Sequence, residues 1–145
     1  MGSYASFNAN FTYSDFTYGD YIFLDKNYDG KKVAGVPPVT FNAGVDVNTL
    51  PGVYANAYYS YKGDVYITSD NDEAIKAKHF GLLNAKLGLR RSLSNHFDMD
   101  AFFGVNNITG IQYYNMVFVN QIPDAYLPAP LKTVYFGGIN LNYNF

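Results

Sequence analysis

Acidic residues, asparagines and tyrosines carry the chemistry open to this chain, and many of them cluster between apolar runs. Asp25-Lys26-Asn27-Tyr28-Asp29-Gly30 repeats the first half of a calcium loop. Asp25, Asn27 and Asp29 would give oxygen ligands at its first, third and fifth positions, and a glycine follows at the sixth. The twelfth position, where such a loop places a bidentate glutamate, is Val36. The expectation is therefore a polar turn and no bound metal. The run Asp70-Asn71-Asp72-Glu73 reads as a solvated loop. Asp98 and Asp100 share one strand face, with Lys86 and Arg90 on the strand before, which predicts a charge ladder between neighbours rather than a catalytic carboxylate pair. His79 and His96 fall at opposite strand ends, too far apart to share a metal. No serine has a credible histidine and aspartate partner, so no catalytic residue and no enzyme activity is expected. Tyr18, Tyr21, Tyr66, Tyr113, Tyr114 and Tyr126 are the ligand-binding candidates. A tyrosine offers a flat apolar face with a polar tip, which suits glycans, chelates and peptides.

The elements that must hold these residues are strands. Val134 to Phe145 alternates: Tyr135, Gly137, Ile139, Leu141, Tyr143 and Phe145 point one way, and Val134, Phe136, Gly138, Asn140, Asn142 and Asn144 the other. Five earlier segments alternate likewise, led by Phe7, Phe41, Val53, Leu83 and Met99. This predicts six strands of roughly nine to eleven residues, the length a tilted strand needs to cross a bilayer. Short links at Leu50-Pro51-Gly52 and Ser92 to His96 alternate with long ones near 15–36, 62–80 and 107–131. The third long link is rich in proline, with Pro123, Pro128 and Pro130. Loops this long are uncommon in compact soluble domains, whereas outer-membrane barrels pair short periplasmic turns with long outer loops.

Composition agrees. The chain has 15 Tyr and 12 Phe, no Trp and no Cys, with 15% charged residues and a net charge of −2. Scattered basic residues argue against nucleic acid as a partner. Without cysteine there is neither a disulfide nor a thiolate metal site. The polar strand faces carry Asn, Gly, Ser and Thr, where a soluble surface would carry more Lys and Glu. Met1-Gly2-Ser3 fits a loose myristoylation pattern but reads as a cloning scar. The fold class expected is all-β: an antiparallel up-and-down transmembrane β-barrel segment of six strands in three hairpins, the C-terminal part of a larger barrel, as one domain over 1–145.

The stretch Gly30-Lys31-Lys32-Val33-Ala34-Gly35-Val36-Pro37, running into Phe41-Asn42-Ala43-Gly44-Val45-Asp46, resembles the C-terminal barrel of TonB-dependent outer-membrane receptors. So do Leu82-Leu83-Asn84-Ala85-Lys86-Leu87-Gly88, Phe103-Gly104-Val105-Asn106-Asn107-Ile108 with Gln112-Tyr113-Tyr114, and Gly137 to Phe145. The resemblance implies a bacterial outer-membrane barrel of about 22 strands, of which these are the last six. It implies import of a scarce nutrient such as an iron chelate, haem, cobalamin or a glycan, with no cofactor. The implied partners are outer-membrane lipid, the remaining strands and plug of the parent receptor, and the TonB complex, reached through an N-terminal part outside this chain. The resemblance also implies that Leu141, Tyr143 and Phe145 form an assembly signal read by the barrel-insertion machinery. The segment alone is then not expected to transport. The alternatives are a small structural or passive-pore outer-membrane protein and a soluble β-barrel binding module.

Overall fold

The computed structural model describes residues 3–122, 125–129 and 132–145. Met1, Gly2, Pro123 and Pro130, which the sequence reading touches, lie outside the described residues. The strands in chain order are β1 Tyr4–Tyr13, β2 Ile22–Phe23, β3 Lys26–Asn27, β4 Val39–Asn48, β5 Val53–Lys62 and β6 Val65–Tyr66. They continue as β7 Lys76–Ala77, β8 Phe80–Ser92, β9 Phe97–Asn106, β10 Tyr114–Val117, β11 Tyr126–Pro128 and β12 Val134–Tyr143. A 3₁₀ turn, Glu73–Ile75, precedes β7. Six long strands form one antiparallel sheet in the order β1-β4-β5-β8-β9-β12. These are the six expected from alternation, within a few residues at each end.

Register joins six apolar stripes into one face. Phe7 lies opposite Val45, Val45 opposite Ala57, Ala57 opposite Ala85, Ala85 opposite Val105 and Val105 opposite Tyr135. Because side chains alternate strictly, this one alignment puts every apolar partner on the same side. That side is open: Phe7 is 74%, Phe11 67%, Leu87 58% and Ile139 69% exposed. A water-soluble sandwich or barrel would bury such a face as its core. Tyr13, Phe41, Tyr59 and Tyr61 edge it at one end, and Phe97, Tyr143 and Phe145 at the other, the placement of interfacial girdles.

The opposite face is polar. Arg90 lies across from Asp100, with Nη2 3.1 Å from Oδ2, and Tyr54 donates its hydroxyl to Asp100 Oδ1 at 2.8 Å. Ser92 donates to Asp98 at 2.6 Å. The expected ladder thus forms at Arg90. Lys86 differs: it faces Gly104 in register, and its ammonium sits 4.4 Å from the ring centre of Phe102. Tyr54 can lie flat only because its neighbour is Gly88, where a Cβ would stand 2.2 Å from the ring. The β4–β5 link is the four residues Thr49 to Gly52, in which Gly52 takes φ +88°, and a Cβ there would meet the Arg90 carbonyl at 1.8 Å.

The tightly packed interior lies at one end of the sheet, among the long links. Of the buried apolar residues described, only Tyr54 belongs to the sheet, while Ala34, Val65, Ile67, Ala77, Tyr114 and Ala125 belong to the loops. The long links are also not plain loops, as the sequence reading had them. Each carries a small hairpin: β2–β3, β6–β7 and β10–β11.

Candidate ligand-binding loop layer

The three long loops, L1 (14–38), L2 (63–79) and L3 (107–133), join into one layer at the end of the sheet. Three asparagines in the left-handed region, Asn71, Asn107 and Asn120, stitch it together. Asparagine tolerates that conformation because its short side chain bonds locally to backbone. Asn71 ties L2 to L1 by accepting from Lys32 N at 2.6 Å and donating to Lys32 O at 2.8 Å. Asn120 ties L3 to L2: its side chain accepts from Ser69 N and donates to Ser69 Oγ, both at 3.0 Å, while its own N–H reaches Ile67 O at 2.9 Å. Asn107, only 3% exposed, folds the start of L3 through bonds to the Ile111 backbone. Beneath these ties, Val65, Ile67, Ala77, Tyr114 and Ala125 make a small apolar core with Phe80 and Val117. The sequence placed Asn71 in a solvated loop and gave no bracing role to it, to Asn107 or to Asn120, because nothing along the chain announces what they meet across space.

The six candidate tyrosines divide into two groups and one outlier. Tyr18 stacks on Tyr21 at 5.2 Å, and both meet Tyr28, at 6.4 and 5.6 Å, with Phe23 6.5 Å beyond Tyr21. Tyr28 was not among the sequence candidates; its signal was its place beside Tyr21 in one loop. Tyr18 also anchors L1, with Oη 3.2 Å from Ser69 Oγ. Tyr113 and Tyr114 pack on Phe80, at 5.5 and 5.1 Å, and Tyr126 lies 5.7 Å from Tyr114. Tyr114 is a core residue, 8% exposed, and burial, then the nearby Tyr126 and Asp64, push its phenol up to about 12. Tyr126 stays open at 47% and Tyr21 at 41%. Tyr66 stands apart, with Lys76 over its ring at 4.3 Å and its hydroxyl donating to Glu73 at 2.5 Å. Lys76 first and Tyr66 second hold Glu73 below the usual carboxylate range.

The calcium-like motif forms a tight hairpin. Leu24 and Asp25 are the central residues between β2 and β3, at φ +50° and +59°. Asn27 Oδ1 accepts the N–H of Asp29 at 2.9 Å, and Gly30 takes φ +70°. Among the described residues no cluster of three or more His, Asp or Glu side chains could hold a metal ion. At the far end of the sheet, Leu141 pairs with Met99 and Tyr143 with Phe97. The ring of Phe145 meets Tyr143 edge-on at 5.1 Å and is otherwise open. Asn144 fixes this end by donating its N–H to His96 O at 2.8 Å and its side-chain amide to Asp98 at 2.9 Å. His79 and His96 thus stand at opposite ends of β8, as expected.

An up-and-down antiparallel sheet with strands long enough to cross a bilayer, one open apolar face and its loops gathered at one end is the wall of a transmembrane β-barrel. Residues 2–108 match the family model described as TonB dependent receptor-like, beta-barrel, and the chain belongs to that family. Its fold is similar to the closed-form crystal structure of the ferric-catecholate import receptor Fiu from E. coli K12, with a TM-score of 0.65 and 16% sequence identity. That likeness covers 97% of this chain and 19% of the receptor, so the chain spans about a fifth of the length of its structural neighbour.

Proposed function

We propose that this segment is barrel wall and extracellular loop layer of a TonB-dependent importer in the bacterial outer membrane. The parent receptor would provide the plug, the TonB contact and the remaining strands; the segment alone would not transport. Support for a wall piece comes from the two outer strands, β1 and β12, each of which pairs on one side only. In lipid such edges need partners, which the rest of a barrel supplies. Loops 15–36, 62–80 and 107–131 would face outside, and the turns at Pro51 and Ser94 the periplasm. Leu141, Tyr143 and Phe145 would be read by the barrel-assembly machinery.

The observation that carries the receptor reading is the stacked group Tyr18, Tyr21, Tyr28 and Phe23 on a braced loop layer. Exposed ring faces held by a rigid support suit a ligand with flat rings and a polar rim. Among scarce nutrients, an iron chelate of catecholate type fits that chemistry best, and the neighbouring fold serves ferric-catecholate import. The test is fluorescence titration of the full receptor with a ferric tris-catecholate. Tyr21→Ala should weaken binding by about tenfold, the cost of roughly one aromatic stacking contact. Unchanged affinity in Tyr21→Ala and in Tyr126→Ala would remove these loops from ligand capture.

A further inference from the structure

A cavity of about 420 Å³ opens between the bases of L1 and L2. Its floor includes Tyr13, Val39 and Tyr61, which belong to the apolar face of the sheet at the loop end. The cavity therefore lies on the outer wall, level with the rim of the lipid face. The ring group at Tyr18 and Tyr21 does not line it. Its walls hold Lys32, Lys76 and His79 together with Asp15 and Asp64.

We propose that this rim cavity seats the head group of a phosphorylated glycolipid of the outer leaflet. The inference rests on the strands being membrane-spanning, and it is independent of what the receptor imports. An acyl chain leaving the cavity would run down the apolar face, past Phe11 and Phe41, whose Cα positions pair across β1 and β4. Lys32 pairs with Asp15, and His79 Nδ1 lies 2.9 Å from Asp64. All four side chains stay open, at 50% and 52% for the first pair and 60% and 36% for the second. Ion pairs this exposed contribute little, and a lysine ammonium carries three donors, so Lys32 can take a phosphate without leaving Asp15. The two carboxylates would then accept sugar hydroxyls. Phe16, 61% exposed, adds an apolar edge beside them. A small free anion would use the cations but leave the apolar floor uncovered, which is why a lipid is the favoured source.

The test is native mass spectrometry of the full receptor released from detergent, with bisphosphorylated lipid A as probe. The wild type should retain one lipid A, and the dephosphorylated lipid should bind about tenfold more weakly. Lys32→Gln with Lys76→Gln, which removes both lysines of the cavity, should weaken lipid A by about thirtyfold, the effect of two cations near a lipid surface. Lys86→Gln, which removes a charge from the opposite face, should bind as the wild type does. The comparison of the two lipids on the wild type keeps the test decisive if the double variant misfolds. Equal retention of both lipids, or of lipid A by the wild type and a folded double variant, would overturn the proposal. Competition by millimolar inorganic phosphate as strong as by lipid A would show a free-anion site and overturn the lipid assignment. Failure of the wild type to insert into micelles at all would instead contradict the membrane-spanning reading.

Discussion

Adjacent residues of one strand face opposite media here, and that makes single substitutions informative. Ala101 sits mid-strand on the apolar face, paired with Ile139 and Leu89. Asn140, next to Ile139, lies on the polar face opposite Asp100. An arginine near the bilayer midplane costs about 2–4 kcal/mol on a barrel wall. Ala101→Arg should therefore lower folding free energy by that amount, read by urea titration of the refolded barrel in lipid vesicles. Asn140→Arg, placed near Asp100, should change it by less than about 1 kcal/mol. Equal losses would mean the two faces are wrongly assigned. Asp100 itself makes a poor comparison, because its carboxylate already serves Tyr54 and Arg90.

The elements divide into a wall that local sequence announces and a loop layer that it does not. Alternation of apolar and polar residues reveals a strand because a strand has period two, whatever lies beside it. The hairpin at Leu24-Asp25 lacks the Asn-Gly or Asp-Gly signal of a tight turn and puts a bulky leucine at positive φ, so nothing local predicts it. Asn120 looks like any loop asparagine until Ser69 is placed 3.0 Å away. Tyr114 reads as a binding residue until Phe80, Val65 and Ala125 close around it. The clamp role of Asn120 has a direct consequence. Asn120→Ala removes two side-chain bonds and leaves Ser69 N–H unpaired, a loss of about 1–3 kcal/mol. Amide hydrogen exchange should speed up in L2 and L3 together and stay unchanged in β4, β5 and β8. Faster exchange in L3 alone would mean the two loops are not joined.

L2 also carries a pH dependence. Burial tends to raise the Asp64 carboxyl, but hydrogen bonds from the His79 backbone N–H at 2.6 Å and its ring more than offset this and hold Asp64 below its ordinary value near 3.8. A carboxyl lowered by folding contributes stability above its unfolded value and loses it as pH falls through the folded value. L2 should stay closed from neutral pH down to about pH 4 and open below it. Loop exchange corrected for intrinsic rates should show that onset, and Asp64→Asn should weaken it, leaving the part that Glu73 carries through Lys76 and Tyr66. An onset unchanged in Asp64→Asn would take Asp64 out of it.

At the scale of the whole molecule, the chain is a curtain of strands whose stability depends on what lies on either side. Its apolar face needs lipid and its two edge strands need neighbours. That is how a sheet with an open apolar face, whose described residues have their tight core in the loops, can be part of a stable protein. The same arrangement sets direction: short turns at Pro51 and Ser94 mark one end, and the packed loop layer marks the other. The most direct measurement is labelling of single cysteines in the full receptor on intact cells with a reagent that cannot cross the outer membrane. Asp72→Cys, in L2, should react within minutes. Ser94→Cys, in the β8–β9 turn, should react only after the outer membrane is opened. Equal labelling of both in intact cells, or labelling of Ser94→Cys alone, would contradict a barrel wall with its loop layer outside.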